Sequence, residues 1–274
     1  MTEGRCGSLS NLALLAGEGL LPVVIAKALS SRGMPPTVIA MGETNPLLEG
    51  FADRVLRVPQ ISITGILGLI ERAGCKRLVL AGSVPKRLIF GGSAMDPETL
   101  QWVLSLPSRD DHALLGAIVR LFESEGLEVV PYRSLIPGNI ASEGIIAGRE
   151  ASAEEWQDIR YGIRIAREIV RLSFGQALAV KAGSIVAVEA MEGTDEMIMR
   201  AGRIAPGSTV VKMMRSDQDE RFDLPTVGPH TLECMAASAM RCLAVEAGRT
   251  VILDRESFES LAEAHSIAVT GFLP

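Results

Sequence analysis

Asn11-Leu12-Ala13-Leu14-Leu15-Ala16-Gly17-Glu18-Gly19-Leu20-Leu21-Pro22-Val23-Val24-Ile25-Ala26-Lys27-Ala28-Leu29-Ser30 decides the fold of this chain. Asn11 to Ala16 is an apolar run of strand length, and Gly17 to Gly19 is a turn. From Leu20 to Ser30 the residues Leu20, Leu21, Val24, Ile25, Ala28 and Leu29 share one helical face, with Pro22 in the first turn, where a missing N–H costs nothing. A buried strand that passes through a glycine turn into a helix opens an α/β domain. The same stretch is apolar and follows Arg5, as a secretory signal does, but Gly17-Glu18-Gly19 and Pro22 interrupt it, Lys27 closes it and no basic cluster precedes it. No run of about 18 uncharged apolar residues suits a membrane span.

Outward from this unit the alternation continues. Strands are expected at Thr37 to Met41, Arg77 to Ala81 and Leu127 to Val130. Helices are expected at Ile63 to Ala73, from Asp96-Pro97, and at Asp110 to Glu125 with Gly126 as its stop. Alternating strands and helices imply a parallel sheet covered on both faces. Prolines, glycines and serines break the periodicity between Pro131 and Arg149. Beyond them, Ser152-Ala153-Glu154-Glu155 is a capping box for a helix that buries Trp156, Ile159, Ile163 and Ala166. Ala177 to Lys181 and Ile185 to Ala190 read as a hairpin. After them come a helix from Asp195, a strand Thr209 to Met213, a helix from Pro229 to Glu246, a strand Thr250 to Leu253, a helix, and a strand Ile267 to Thr270. The expected fold is α/β in two domains: a Rossmann-like parallel sheet in residues 1–135, a linker at 136–150, and a mixed sheet in 151–274.

Composition narrows the function. The 274 residues are 47 % hydrophobic but only 4 % aromatic, so the core is aliphatic. A net charge of -6 argues against a nucleic-acid binder, though not against a nucleotide ligand. Cys6, Cys75, Cys234 and Cys242 have no close spacing, which points to reduced thiols rather than a disulfide framework, and three histidines make a histidine-rich zinc centre improbable.

Several segments carry chemistry. Gly17-Glu18-Gly19 lets a backbone approach a phosphate at a helix N-terminus; it serves equally as a tight turn without ligand. Gly82, Ser83 and Val84 follow a strand, where open α/β sheets bind ligands, with Lys86 and Arg87 next; a solvated loop is the alternative. Asp110 and Asp111 begin a helix, where acids suit the dipole with or without a substrate; His112 follows them. Glu189, Glu192 and Asp195, with Gly193 and Thr194, crowd carboxylates into a strand-to-helix turn, a pattern that a hard divalent ion or hydrogen-bond donors relieve. Asp223 sits between Phe222 and Leu224-Pro225 in an ordered turn, suited to a metal or a nucleophilic water, and Lys212 on the preceding strand is placed to neutralise a phosphate.

Taken together, Leu15 to Pro22, Ala81 to Val84, Asp110-Asp111, Gly175-Gln176, Ala187 to Asp195 and Asp223-Leu224-Pro225-Thr226-Val227-Gly228 resemble the LpxI type of UDP-2,3-diacylglucosamine pyrophosphatase over nearly the whole chain. The Pro85-Lys86-Arg87 order departs from that pattern and leaves the role of Lys86 open. The resemblance implies hydrolysis of UDP-2,3-diacylglucosamine to UMP and lipid X with Mg²⁺, the substrate lying between two α/β domains. It implies Asp223 and Lys212 as catalytic groups, with Asp223, Glu189 and Asp195 at the metal. Gly17, Glu18, Gly19, Gly82, Ser83, Val84, Asp110, Asp111, Gln176, Glu192, Gly193, Thr194 and Thr226 would hold the substrate. Met191, Met197, Met199, Met213 and Met214 could adapt to acyl chains, although core packing serves for most of them. The implied setting is cytoplasmic, with transient contact at the inner membrane face; a homodimer is compatible with the chain. Two rivals stand beside this reading. One is a nicotinamide or flavin oxidoreductase, with Glu43 as its ribose acid but without a third glycine, since Pro22 takes that place. The other is a non-catalytic nucleotide-binding protein.

Overall fold

The computed structural model describes residues 11–83, 95–107 and 111–273. Val84 and Asp110 lie outside the described residues, as do Cys6, Lys86, Arg87 and Arg109; Asp111 and His112 are described only as backbone of a helix. The chain divides into two compact units. One runs to Ile136 and takes in Asp219–Asp223; the other comprises Pro137–Gln218 and the residues from Leu224 onward.

The first unit holds a five-stranded sheet of β1 (Leu12–Ala16), β2 (Thr37–Met41), β3 (Arg54–Val58), β4 (Arg77–Ala81) and β5 (Glu128–Val129). Their order is β3-β2-β1-β4-β5, and every pairing is parallel. The strand β3 is absent from the sequence expectation. It is an edge strand in which Arg54 and Arg57 are exposed, so its apolar residues do not form the unbroken run of a central strand. Helix α1 (Leu21–Ser30) buries Leu21, Val23, Ile25, Ala26 and Leu29. Val24 and Ala28, expected on the buried face, are only partly covered, whereas Val23 and Ala26 are buried; a short 3₁₀ turn at Pro46–Gly50 also packs against the helix. Helix α2 (Ile63–Arg72) is capped by Ser62, whose hydroxyl accepts from the Gly65 N–H at 3.0 Å. Helix α3 (Pro97–Ser105) is capped by Asp96, which accepts from Thr99 at 2.6 Å. Helix α4 (Asp111–Ser124) packs Val119 and Phe122 on Leu15, Ile39, Ile70 and Leu80.

The second unit is a six-stranded mixed sheet ordered β6-β13-β11-β9-β7-β8. Its strands are β6 (Gly144–Gly148), β7 (Ala177–Lys181), β8 (Ser184–Val188), β9 (Thr209–Lys212), β11 (Cys242–Glu246) and β13 (Ala268–Phe272); β10 (Thr226–Val227) and β12 (Val251–Ile252) form a separate parallel pair. The strands β9, β11 and β13 are parallel, and β6, β7 and β8 join through antiparallel pairings. Helices α5 (Ala153–Arg171), α6 (Thr194–Ile204), α7 (Pro229–Ala237) and α8 (Arg255–Ala264) complete the unit.

Two sequence expectations are corrected here. The helix expected over Pro229 to Glu246 ends at Ala237, and Cys242–Glu246 is a fully buried central strand. Ala239 takes a left-handed conformation at φ 54°, so the chain turns without a glycine to mark it. Leu243 and Val245 then pack on one face of the sheet and Cys242 and Ala244 on the other. Residues 144–148, expected within a linker, form β6, a sheet edge; Thr270 donates from its hydroxyl to the Gly144 carbonyl at 3.0 Å. Met197, Met213 and Met214 are core residues, whereas Met191 is 97 % exposed.

The capping box at Ser152 is present, and Arg149 completes it. The guanidinium grips Glu155 with two bonds of 2.6 and 2.7 Å and donates to the carbonyls of Ser266 and Arg241, tying α5 to the sheet. Burial pushes the Glu155 carboxyl up, but hydrogen bonds from Arg149 and the Ser152 N–H outweigh it and hold the group below its usual 4.5. A carboxyl depressed in the folded state stabilises fully above pH 4.5 and loses that contribution as pH falls through its folded value. Urea titrations over the acid range should therefore give a shallower loss of stability for Glu155→Gln than for the parent, with the variant the less stable at neutral pH.

Candidate functional site

The order β3-β2-β1-β4-β5 reverses direction between β1 and β4, and the carboxyl ends of such a pair are where open α/β sheets take ligands. The two expected glycine loops meet there. Glu18 donates to the Ser83 carbonyl at 2.8 Å, Ser83 donates back to Glu18 at 3.1 Å, and Gly17 donates to the Ala81 carbonyl at 2.9 Å. This clasp explains the glycines. A Cβ on Gly17 would lie 2.4 Å from the Ser83 carbonyl oxygen; one on Gly82, whose φ is 88°, would lie 2.6 Å from the Glu18 oxygen. Gly19, Gly82 and Ser83 are exposed, and α1 begins beside them without a side-chain cap on its first N–H groups.

At the carboxyl end of β9 in the second unit, the structure gathers Gln176, Glu189, Thr194, Lys212 and Thr226. Gln176 precedes β7, Glu189 follows β8, and Ala177 pairs with Lys212, so all three reach one end of the sheet. Lys212 is 5 % exposed and Glu189 7 %. The Lys212 ammonium donates to the Thr226 carbonyl at 2.9 Å and to the Thr194 hydroxyl at 3.2 Å. That hydroxyl donates to Glu189 Oε1 at 3.1 Å, and the Gln176 N–H donates to Glu189 Oε2 at 3.3 Å. A buried ammonium and a buried carboxylate are thus joined through a hydroxyl, an arrangement that tolerates two desolvated charges.

Sequence reasoning missed the next members of this end. Gln218 is buried, donates to Gln176 Oε1 at 3.3 Å and accepts from the Arg215 N–H at 2.8 Å. Glu246, 1 % exposed, accepts from the Met214 N–H at 2.9 Å and pairs with Arg249 at 3.2 Å. A single acid closing the apolar run Cys242–Glu246 was its signal, and reading that run as helix hid it.

The remaining expected residues are placed differently. Glu192 is exposed; hydrogen bonds from its own backbone N–H and from Arg200 hold its carboxyl below the usual range. Gly193, at φ 85°, is the N-cap of α6. Asp223 is part-buried and belongs to the first unit, and its N–H donates to the Asp219 carbonyl at 2.9 Å. The segment Asp219–Asp223 is fastened there by Phe222 against the core, by Arg221 to Glu123 at 2.6 Å and by Arg133 to Glu220 at 3.0 Å. Hydrogen bonds from Arg221 to Asp219 and Glu123 raise the guanidinium pKa, so the clamp stays charged at any working pH. The expected metal carboxylates Asp223, Glu189 and Asp195 are therefore divided between the units. Asp195 has its Oδ2 3.5 Å from His230 Nε2, a partner the sequence reading did not select.

These features define a two-unit α/β protein with a parallel sheet in one unit and, in the other, a mixed sheet closed at one end by a buried charge network. A model of the LpxI N-terminal domain matches residues 11–139, and a model of the LpxI C-terminal domain matches residues 142–270. The chain belongs to the LpxI family. The UDP-2,3-diacylglucosamine pyrophosphatase LpxI of Caulobacter vibrioides is 31 % identical over 281 residues, covering 96 % of this chain and 98 % of that protein. Similar solved structures include the biotin carboxylase domain of Hydrogenobacter thermophilus 2-oxoglutarate carboxylase, at 13 % identity and a TM-score of 0.26, of which the chain covers 41 %. The biotin carboxylase subunit of a pyruvate carboxylase is matched at 15 % identity and a TM-score of 0.26, again over 41 % of that structure.

Two substitutions test this geometry. Gly17→Ala should cost on the order of 2 kcal/mol of unfolding free energy, since backbone must move to admit the methyl. Glu189→Gln should cost about 1–3 kcal/mol, because a carboxamide that accepts from Thr194 turns its NH₂ toward the Gln176 N–H. Both are read by urea unfolding.

Proposed function

We propose that this chain hydrolyses the pyrophosphate bond of UDP-2,3-diacylglucosamine, releasing UMP and 2,3-diacylglucosamine 1-phosphate (lipid X) in lipid A synthesis. Family membership supports the reaction class, and the similarity to the Caulobacter vibrioides pyrophosphatase supports the substrate. The observation that carries it is Lys212. An ammonium held nearly out of water at a sheet's carboxyl end is a preorganised cation for charge that develops on phosphate, and it needs no reorganisation when that charge appears. Thr194 and the Thr226 carbonyl fix its direction, and Glu189 and Gln176 fix Thr194. The exposed backbone of Gly19, Gly82 and Ser83, with the uncapped start of α1, suits the uridine diphosphate portion. Asp223 is assigned to orienting the attacking water.

Mg²⁺ is part of this proposal, and the donor chemistry fits it. Asp223 in the first unit and Glu189 in the second each offer hard carboxylate oxygens, and such an ion would offset the charge of the pyrophosphate. Asp195, expected with them, faces His230 instead. No helix among the described residues is long and apolar enough to cross a membrane. Reaching a diacylated substrate calls for transient contact with the inner membrane face. Nothing in the family match favours the oxidoreductase reading.

The test is UMP release from UDP-2,3-diacylglucosamine, with and without Mg²⁺. Metal-dependent release is expected, reduced by on the order of 100-fold or more in both Asp223→Ala and Lys212→Ala. Hydrolysis in ¹⁸O-labelled water identifies the attacked phosphorus by which product carries the label. Absence of UMP from the folded parent protein would overturn the assignment.

A further inference from the structure

Outside the charge network, three chemically different side chains converge between α6 and α7, which pack against each other. They are Asp195 at the start of α6 and His230 and Cys234 on α7, with ligand atoms all within 4.8 Å of one another. His230 Nε2 lies 3.5 Å from Asp195 Oδ2 and 3.7 Å from Cys234 Sγ. The spacing of four residues puts His230 and Cys234 one above the other on a single helical face. The other ring nitrogen, Nδ1, faces Glu233 Oε2 at 3.4 Å.

We propose that Asp195, His230 and Cys234 form a binding site for a borderline-soft divalent ion of the Zn²⁺ class, distinct from any Mg²⁺ used in hydrolysis. The distances support it. A tetrahedral ion with bonds of about 2.0 Å to nitrogen and oxygen and about 2.3 Å to sulfur spans ligand-to-ligand edges of about 3.3–3.6 Å. The two separations from His230 Nε2, 3.5 and 3.7 Å, need only a small contraction, and the third edge, Asp195 to Cys234, lies within 4.8 Å and closes by side-chain rotation. The donor set selects the ion: a thiolate and an imidazole suit Zn²⁺, whereas Mg²⁺ takes oxygen. Glu233 supplies the carboxylate that metal-bound histidines commonly engage through their second nitrogen, which fixes Nε2 as the metal-facing atom. Access is open, since the His230 side chain is 73 % exposed and that of Asp195 44 %, and the fourth position is left to solvent. Cys234 is buried beneath them. On binding, the sulfur–metal bond replaces S–H and the proton leaves to solvent. The ion would pin the first turn of α6 to the first turns of α7. Thr194, the residue beside Asp195, is the hydroxyl that joins Lys212 to Glu189. The proposal stands on this cluster and does not depend on the hydrolytic reading.

The experiment is titration of the full chain with Zn²⁺ alone by calorimetry, and with Co²⁺ alone by absorption. We expect one ion per chain and, with Co²⁺, a thiolate-to-metal charge-transfer band with tetrahedral d–d absorption. Cys234→Ser should abolish the charge-transfer band, and His230→Ala should weaken Zn²⁺ binding by on the order of 100-fold or more. Glu233→Gln should keep the stoichiometry and weaken binding roughly 10-fold, as loss of an outer-shell partner does. His230 and Glu233 are surface residues, so their variants fold if the parent does. Titrations of His230→Ala and Cys234→Ser that match the parent, or a parent Co²⁺ complex without thiolate absorption, would overturn the site.

Discussion

Lys212 and Glu189 place two opposite charges almost wholly out of water at one end of the second unit's sheet. Neither would be tolerated there alone, because an isolated ion in a low-dielectric interior loses hydration that nothing replaces. The Thr194 hydroxyl, the Thr226 carbonyl and the Gln176 N–H replace it. Those partners arrive from the start of α6, from β10 and from the residue before β7, so the charge pair constrains the placement of three separate elements. The β7–β8 hairpin is what brings Glu189 back beside Ala177, whose carbonyl accepts its N–H at 2.9 Å. A slip of one residue in that hairpin would turn Glu189 to the other face of the sheet, away from Thr194.

The first unit obeys a different constraint, one of backbone contact rather than charge. Its central strands β1 and β4 end in loops that hydrogen-bond to each other through main chain alone, and the absence of a Cβ at Gly17 and Gly82 permits the approach. The glycine turn has therefore a packing reason independent of any phosphate. Beyond it lies exposed backbone at Gly19, Gly82 and Ser83, beside the uncapped start of α1.

Pattern served well where turn residues bound an apolar run. The strands Thr37–Met41, Arg77–Ala81 and Ala177–Lys181, though buried on both faces, lie where their length and flanking turn residues put them. Ser152, Asp96 and the hairpin at Ala182-Gly183 act as their residue types predict. It failed for β11. There an apolar run buried on both faces has no period to distinguish strand from helix, and the left-handed turn at Ala239 uses no glycine. It failed also for β3, an edge strand whose arginines blur the pattern. The misreading of β11 carried Glu246 with it, because a carboxylate at a helix end and one at the carboxyl end of a central strand imply different chemistry.

Two α/β units, the glycine loops after Ala16 and Ala81, and the residue types that mark the family are legible in the sequence alone. Those follow from local propensity, alternation and turn chemistry, all of which act over a few neighbouring residues. Only the tertiary structure decided which polar residues meet. Lys212 reaches Thr194 and Thr226 across 18 and 14 residues of chain, and Asp195 reaches His230 across the packing of two helices. The segment Asp219–Asp223 belongs to the first unit although Gln218 and Leu224 on either side belong to the second, because Phe222 and Arg221 bind there. Such contacts are set by the register of strands and the burial of side chains over the whole unit, and no window of sequence contains them.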